Sequence, residues 1–98
     1  MTPKGRPKKQ RVIQYTPKIY YFSPRGRPGR PEEVILSLDE LEALRLADLE
    51  KINQKESAKI MNISQQTFSR LLNKARKSLA DAVVNGKIIR IESPSNFL

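Results

Sequence analysis

Residues 53–73 read Asn-Gln-Lys-Glu-Ser-Ala-Lys-Ile-Met-Asn-Ile-Ser-Gln-Gln-Thr-Phe-Ser-Arg-Leu-Leu-Asn, and this stretch decides the fold. Asn53, followed three residues later by Glu56, has the pattern of an N-cap with a capping box, and Ser64 has the pattern of a second N-cap. Asn62 tolerates the left-handed backbone that ends a helix before a turn. Two helix starts this close leave room only for a short corner. The stretch therefore predicts a helix-turn-helix.

Two short helices joined by a turn also occur in domains that never touch nucleic acid, so charge must decide between these readings. Between Ser57 and Ala80 there is no acidic residue, whereas five are basic: Lys59, Arg70, Lys74, Arg76 and Lys77. Acidic residues cluster instead on the preceding helix: Asp39, Glu40, Glu42, Asp48 and Glu50. This distribution predicts an electrically polarised domain with one face suited to phosphate.

The first third of the chain carries the net charge of +9. Residues 1–31 hold nine basic residues and no acid, and the other ten basic residues balance the ten acids that follow. Six of the seven prolines also lie in this segment, a composition that buries little apolar surface. We therefore predict an extended basic arm over residues 1–31 and a DNA-binding domain over residues 32–98.

Within the arm, Pro24-Arg25-Gly26-Arg27-Pro28 resembles the core of an AT-hook, a peptide whose arginines lie in a narrow minor groove. Residues 4–9 are a weaker copy. A nonspecific phosphate-binding arm, a nuclear import signal and a plain solvated tail are the alternatives. The predicted minor-groove or arm contacts are Lys4, Arg6, Lys8, Lys9, Arg25, Arg27 and Arg30.

Composition removes several function classes. The chain has 98 residues, no cysteine and no histidine, so we expect no thiolate nucleophile, no histidine-based catalysis and none of the usual zinc sites. Acids in the first turn of a helix favour its dipole and are poor candidates for paired catalytic carboxylates. We expect no enzymatic activity, no metal and no cofactor. No apolar run is long enough for a signal peptide or a membrane span, so a cytoplasmic, nucleoid-associated location is expected.

Periodicity predicts a mainly α fold: three helices with a small β element. Ser37 with Glu40 caps a first helix to about Glu50, and the others run over about 54–61 and 65–84. Residues 33–36 and 87–92 are short β-type runs, and the second is expected to pair with the first or with residues 19–22. Lys87 and Arg90 are interpreted as sheet-edge charges that discourage pairing with other chains.

Three separated blocks, residues 33–48, 64–70 and 80–87, resemble in order and spacing a family of small uncharacterised prokaryotic proteins that are predicted to bind DNA. That family's helix-turn-helix is similar to region four of sigma factors, which reads a promoter element in the major groove. The resemblance implies a three-helix, winged or sigma-region-four-like domain and a role in DNA binding or transcription regulation.

The third helix is the predicted recognition helix. Glutamine can bond adenine and arginine can bond guanine in the major groove, whereas hydroxyls and lysines suit phosphate. The predicted base-reading residues are Gln65, Gln66, Ser69, Arg70 and Asn73. The predicted phosphate contacts are Lys59, Ser64, Thr67, Lys74 and Lys77. For the glutamines, ordinary solvated helix surface is the alternative.

Two questions about partners stay open at this level. The spacing of Phe68, Leu72, Ala75, Leu79 and Ala82 is that of a helix seam, which favours either a homodimer or packing on the first helix. The acidic first helix offers a surface through which the chain would act as a protein-interaction module contacting RNA polymerase or another regulator. RNA binding is disfavoured because exposed aromatic residues are few.

Overall fold

A computed structural model describes residues 11–26, 29 and 31–92, and within them the chain forms three helices and a three-stranded sheet. In chain order the elements are β1 (Tyr21–Phe22), β2 (Glu33–Ser37), α1 (Leu38–Leu44), α2 (Gln54–Met61), α3 (Gln65–Asn85) and β3 (Ile88–Glu92). The predicted three helices and small β element are confirmed. Among the described residues, no helix combines the length and the apolar character that a membrane crossing requires.

The first helix begins at the predicted capping box. The Ser37 hydroxyl accepts the Glu40 amide, and the Glu40 carboxylate accepts the Ser37 amide at 3.0 Å. The α-helix itself ends at Leu44, but the chain continues as a π-helical turn, Arg45–Leu49, so helical conformation extends close to the predicted end at about Glu50. Lys51 then adopts a left-handed conformation with φ 63°. Neither the π turn nor this left-handed lysine was predicted, because no glycine or asparagine marks the position.

The corner between α2 and α3 follows the local signals. Asn53 caps α2 by accepting the Glu56 amide at 2.8 Å, and Ser64 caps α3 by accepting the Thr67 amide at 3.0 Å. Asn62 lies in the left-handed region with φ 59° and ψ 44°, as predicted. In a full capping box the Glu56 carboxylate would also accept the Asn53 amide. Here the Glu56 carboxylate lies 3.7 Å from Lys59 Nζ instead.

The sheet has β3 at its centre, antiparallel to β1 and parallel to β2. Both pairings that the sequence offered for the last strand therefore occur together. Parallel strands need a long connection, and all three helices lie in the connection between β2 and β3. The interpretation of Lys87 and Arg90 as sheet-edge charges is wrong, because β3 is the central strand. Lys87 Nζ instead lies 3.0 Å from Asp81, and Arg90 Nε lies 2.9 Å from Glu33.

Helix α3 carries the core, which has two parts. Its N-terminal half contributes to a cluster between the helices: Ala43, Leu46, Ala58, Met61, Phe68 and Leu72. Its middle contributes Ala75 to a second cluster with Leu36 of β2 and Ile91 of β3. Four of the five residues of the predicted helix seam are thus buried inside one chain, and Leu79 is half-buried, so the spacing reflects packing on α1 and on the sheet. As a homodimer interface the seam is excluded, because Phe68, Leu72, Ala75 and Ala82 are already buried.

Part of the segment predicted as an arm contacts the domain. The Val12 amide donates to the Met61 carbonyl at 3.0 Å, and the Ile91 amide donates to the Tyr20 carbonyl at 2.9 Å. Pro17 is buried, and β1 belongs to the sheet. Residues 11–22 therefore pack with the domain, although the composition changes only at residue 31 and these residues were predicted to belong to the arm. Residues 1–10 lie outside the described residues, and for them the arm stays a prediction.

Candidate nucleic-acid interface

One face of α3 is exposed along most of the helix. Gln66, Arg70, Asn73 and Lys77 are solvent-exposed and recur at spacings of four, three and four residues, so they form one stripe, called the polar stripe below. The opposite face carries the buried side chains Phe68, Leu72, Ala75 and Ala82. Burial of that face orients the helix, and the polar stripe points to solvent as a result.

The two cations of the polar stripe differ from most other cations of the domain. Arg70 and Lys77 form no ion pair with any of the described residues, whereas ion pairs hold seven other basic residues there: Arg11, Arg45, Lys59, Lys74, Arg76, Lys87 and Arg90. No salt bridge has to be broken before such a cation binds a phosphate or a base edge, although Lys77 also interacts electrostatically with Asp81.

The other predicted contacts on α3 have different surroundings. Ser64 and Thr67 are joined by a hydroxyl-to-hydroxyl bond of 2.9 Å, in addition to the cap bond. Ser69 is half-buried. Gln65 is exposed but lies about 100° around the helix from Gln66, on the flank of the polar stripe. The structure therefore brings together three of the predicted base-reading residues, and it places Gln65 and Ser69 to one side.

Two predicted phosphate contacts already have acidic partners. Lys59 Nζ lies 3.7 Å from the Glu56 carboxylate on the same helix. Lys74 Nζ lies 3.3 Å from the Glu40 carboxylate, which is almost completely buried although the lysine side chain itself is 72% exposed. Lys74 thus neutralises a buried acid and still presents its ammonium group to solvent.

The acidic cluster predicted on α1 is not an exposed surface. Asp39, Glu40 and Glu42 are buried, and each has a cationic partner: Arg11, Lys74 and Arg45 respectively. Burying a carboxylate is costly unless it is paired and hydrogen-bonded, which explains why all three have partners. A protein partner therefore cannot reach these acids, and the expectation of an acidic contact surface on α1 is wrong for them.

The π-helical turn after α1 is fixed to α3 by charge. Arg76 donates to Asp48 through Nε at 3.0 Å and through the terminal nitrogen at 2.8 Å. These bonds lower the pKa of Asp48 and raise the pKa of Arg76. Within the turn, hydrogen bonds from Arg45 to the buried Glu42 carboxylate raise the pKa of Arg45. The Asp48–Arg76 pair thus joins the π-helical turn to α3, whereas the Arg45–Glu42 pair lies within the α1 segment.

Most predicted arm contacts fall outside the described residues: Lys4, Arg6, Lys8, Lys9, Arg27 and Arg30. Arg25 is exposed, and Gly26 has φ 78°, a conformation that other residues rarely adopt. No described atom lies within 4 Å of the position that a Cβ of Gly26 would occupy, so the backbone there is open to close approach. The resemblance to an AT-hook remains a prediction.

Sequence reasoning missed two features. Residues 11–15 lie across buried acids of α1, and no local signal pairs Arg11 with Asp39, 28 residues away. The second feature is an apolar cavity of about 470 Å³ beside the π-helical turn. It is lined by Tyr15, Leu41, Leu44, Arg45, Asp48, Leu49 and Leu79. The wide apolar face of the first helix is the sequence signal for this cavity. Whether such a face stays open or is covered depends on which elements pack against it, and the sequence does not show that.

Comparison with known proteins places the chain in a family. It is 49% identical over 89 residues to a UPF0251 protein of Prosthecochloris aestuarii, covering 90% of this chain and 57% of the relative. It is 52% identical over 94 residues to a UPF0251 protein of Desulfosudis oleivorans, covering 95% of this chain and 67% of the relative. It is 50% identical over 88 residues to UPF0251 protein TTE1845 of Caldanaerobacter subterraneus, covering 89% of this chain and 75% of the relative. The chain thus spans between 57% and 75% of the length of these relatives.

No solved structure matches the chain. The family model described as protein of unknown function DUF134 matches residues 1–95, nearly the whole sequence. Together with relatives of about half identical sequence, this match confirms the resemblance seen in the three sequence blocks. The chain is therefore a member of the DUF134 family of UPF0251 proteins.

Proposed function

We propose that the chain is a sequence-specific double-stranded DNA-binding protein that acts in transcription regulation. The observation that carries this proposal is the polar stripe, in which an arginine and a lysine that form no ion pair within the described part of the chain alternate with two amides on one exposed helix face. Such a face combines hydrogen-bonding groups for base edges with charge for the backbone. The proposed location is the cytoplasm, on the nucleoid.

In this proposal α2 and α3 are the two helices of a helix-turn-helix, and α3 is the recognition helix. Several features support it: α2 ends at Met61, Asn62 turns the chain, and α3 begins at Gln65. Ala58 and Phe68 are buried together in the cluster that joins the two helices. A corner of this kind packs one face of the second helix's N-terminal half on the domain through Phe68 and Leu72 and leaves the opposite, polar face free to enter a major groove.

The assigned roles follow from side-chain chemistry. Arg70 has the fork that bonds O6 and N7 of guanine, and Gln66 or Asn73 can bond N6 and N7 of adenine. Lys77, farther along the polar stripe, suits the phosphate backbone. Lys74 and Lys59 contribute charge but must share it with their carboxylate partners. The basic residues of the N-terminal segment add contacts to phosphates or to the minor groove.

Selection from a random duplex library with the full chain tests this function. We expect enrichment of a defined sequence, tighter binding of that duplex than of a scrambled duplex, and loss of affinity as salt rises. Single-stranded DNA and a structured RNA of the same length are the comparison probes. If the full chain enriches no sequence, or binds the RNA more tightly than the duplex, the proposed function is wrong.

A second candidate, a protein-interaction module that contacts RNA polymerase or another regulator, is favoured by one observation. Leu49 is 73% exposed at the rim of the apolar cavity beside the π-helical turn. An apolar cavity that opens beside an exposed leucine can receive a nonpolar side chain of a partner protein. Leu49→Ser tests it: under this candidate, regulation of a reporter gene in cells should be lost while binding to the selected duplex is unchanged.

A further inference from the structure

One edge of the sheet is formed by strand β2, which pairs with β3 on one side only. The direction of its backbone groups follows from the register. The Ile88 amide donates to the Glu32 carbonyl at 2.8 Å, so the backbone groups of Glu32 point toward β3. Backbone groups alternate in direction along a strand. Those of Val34 therefore point toward β3 as well, whereas those of Glu33 and Ile35 point away from it.

Two residues of β2 thus present backbone groups at an edge that no described strand covers. No described residue outside the sheet bonds the amide or the carbonyl of Glu33 or Ile35. The free edge is bounded at both ends. Pro31 has no amide hydrogen, and the Ser37 amide donates to the Glu40 carboxylate at 3.0 Å in the capping box of α1. Between these ends each chain offers two N–H groups and two carbonyl groups.

This set of groups is complementary to itself. If a second copy of β2 runs antiparallel, with Val34 opposite the partner's Val34, then Glu33 lies opposite the partner's Ile35 and Ile35 opposite the partner's Glu33. Opposed residues whose groups face each other exchange both of their hydrogen bonds. All the free groups of both strands are then bonded, and the capping box at Ser37 stays intact. A register centred on Ile35 would instead place Glu33 against Ser37, whose amide is already bonded.

The charges on β2 do not oppose this pairing. Charged residues often protect an edge strand from other strands, and β2 carries two acids. Each acid already has a cation of its own chain, since Glu33 lies 2.9 Å from Arg90 Nε and Glu32 lies 3.4 Å from Lys87 Nζ. In the register centred on Val34, no acid lies opposite an acid, so the pairing brings no like charges directly together.

We propose that the chain forms a homodimer in which the β2 strands of two copies pair antiparallel about Val34 and continue one sheet into the other. Ile35 is 46% exposed and Val34 is half-buried, so both have apolar surface left to bury in this contact. The contact is isologous, because each copy contributes the same strand. It goes beyond the proposed function, and its tests use no DNA.

Amide hydrogen exchange at low and high protein concentration tests the edge residue by residue. The Val34 and Leu36 amides bond β3 within one chain, so they should be protected at both concentrations and serve as the internal reference. The Glu33 and Ile35 amides should exchange fast in dilute protein and slowly in concentrated protein. Slow exchange of both in a chain that is monomeric would show that the same chain covers the edge. That result, or fast exchange at both concentrations, would overturn the dimer.

Ile35→Pro removes an N–H group that the dimer uses and the single chain does not. Proline is tolerated on an edge strand where the N–H would face outward. By symmetry the dimer loses two of its four hydrogen bonds, so its dissociation constant should rise at least about tenfold. Ile35→Val keeps the amide and is the matched control. Sedimentation equilibrium measures both, and circular dichroism checks the fold. Equal dimerisation of the two variants, or a monomeric wild-type chain at several hundred micromolar, would overturn the proposal.

Cross-linking tests the register and does not depend on folding of the proline variant. The chain has no cysteine, so each variant carries a single thiol. The two Val34 Cα atoms of the dimer would lie about 4.5 Å apart, which a disulfide can span. The two Ile35 Cα atoms would lie about 9 Å apart on a diagonal, which a disulfide cannot span.

Val34→Cys should therefore form a disulfide-linked dimer under mild oxidation, and Ile35→Cys should not. Val84→Cys, at a residue that is 79% exposed on α3, reports cross-linking by random collision. Cross-linking of Val34→Cys no faster than that of Val84→Cys would overturn the proposed pairing. Faster cross-linking of Ile35→Cys than of Val34→Cys would also overturn it, because the strands would then pair in another register.

Discussion

Arg70 lies in the middle of the polar stripe, exposed and without an ion pair among the described residues. Its neighbours Gln66 and Asn73 lie one turn away on either side, so their amide groups reach the same stretch of any ligand that lies along the helix. At the scale of single residues, the proposed reading of DNA therefore depends on three side chains. None of the three is part of the buried core, which makes them suitable for substitution without unfolding the domain.

Arg70→Ala and Gln66→Ala should each reduce the preference for the selected duplex over a scrambled one by about 1–3 kcal/mol, because each removes a potential bidentate base contact. Binding to scrambled DNA should change little for Gln66→Ala and modestly for Arg70→Ala. Competition gel shifts measure both quantities. Lys18→Ala, which removes an exposed cation outside α3, is the control, and full preference in both stripe variants would contradict the assignment.

The Asp48–Arg76 pair predicts a pH effect on stability. Arg76 holds the pKa of Asp48 below its usual value. In the unfolded chain the pKa of Asp48 should be that of a free aspartate, about 3.9. The pair therefore stabilises the fold at pH values above about 3.9, and this stabilisation is lost as the pH falls through the lower pKa that Asp48 has in the folded state. In urea unfolding, Asp48→Asn should be less stable than wild type at pH 7, and the difference should be smaller at pH 3, where an unfolded aspartate (pKa about 3.9) is mostly protonated. A gap of the same size at both pH values would show that the pair is not its source.

At the scale of elements, each helix start is fixed by one side chain. The α3 cap is the most consequential, because the orientation of the whole polar stripe depends on where this helix begins. Ser64 satisfies the Thr67 amide, which otherwise has no acceptor in the first turn of the helix. The same hydroxyl bonds Thr67 Oγ1, so two side chains hold the corner after Asn62.

Ser64→Ala should lower the free energy of unfolding by about 1 kcal/mol, the usual cost of losing an N-cap. Ser64→Gly should cost less, since glycine also tolerates that position. Ser78→Ala, in the interior of the same helix, is the control and should be neutral or slightly stabilising, because alanine is the better helix former. Chemical denaturation monitored by circular dichroism gives all three values. A Ser64→Ala protein as stable as wild type would mean that the cap does not stabilise α3.

At the scale of the whole molecule, one helix joins every part. Helix α3 packs on α1 and α2 through Phe68 and Leu72 and on the sheet through Ala75. Residues 11–15, called the strap, and β1 attach the segment that precedes β2 to the rest of the domain.

Charge follows a different division. Lys4, Arg6, Lys8 and Lys9 precede the strap in the sequence, and Asp39 and Glu42 are buried where the strap contacts α1. Within the described part of the chain, the α3 cations without an ion pair are those of the polar stripe.

Truncation before and after the strap should therefore have different effects. Removing residues 1–9 takes away Lys4, Arg6, Lys8 and Lys9 but keeps Arg11. Affinity should fall on every DNA sequence, and the slope of log affinity against log salt should decrease by about 0.9 for each phosphate that the chain no longer neutralises. The free energy of unfolding should not change.

Removing residues 1–15 should give the same reduction in salt dependence and destabilise the domain as well, because Asp39 and Glu42 lose their strap partners. Salt titrations of binding and urea unfolding distinguish the two truncations. Equal stability of both truncated chains would contradict the energetic role of the strap. An unchanged salt slope after removal of residues 1–9 would contradict the arm as a phosphate-binding segment.

The sequence by itself determined where the helices begin and where α2 stops. Ser37, Asn53 and Ser64 act on amides only three residues away, and Asn62 ends α2 through its own backbone conformation. Such bonds form within one turn and need no knowledge of the rest of the chain, so the three helices and the polar face of the third were predictable. The spacing of the α3 seam was equally visible, although it was compatible with two partners.

Only the tertiary structure decided that the apolar seam of α3 packs within the chain and not against a second copy. It also decided which strand lies at the centre of the sheet and that the acids of α1 are buried. Arg11 and Asp39 are 28 residues apart, and Arg90 and Glu33 are 57 apart. No local pattern encodes pairs at such separations, because the choice depends on how the helices pack and on which carboxylates that packing buries. Once Asp39 and Glu42 are buried, leaving them without partners is costly, and Arg11 and Gln14 supply part of their hydrogen bonding.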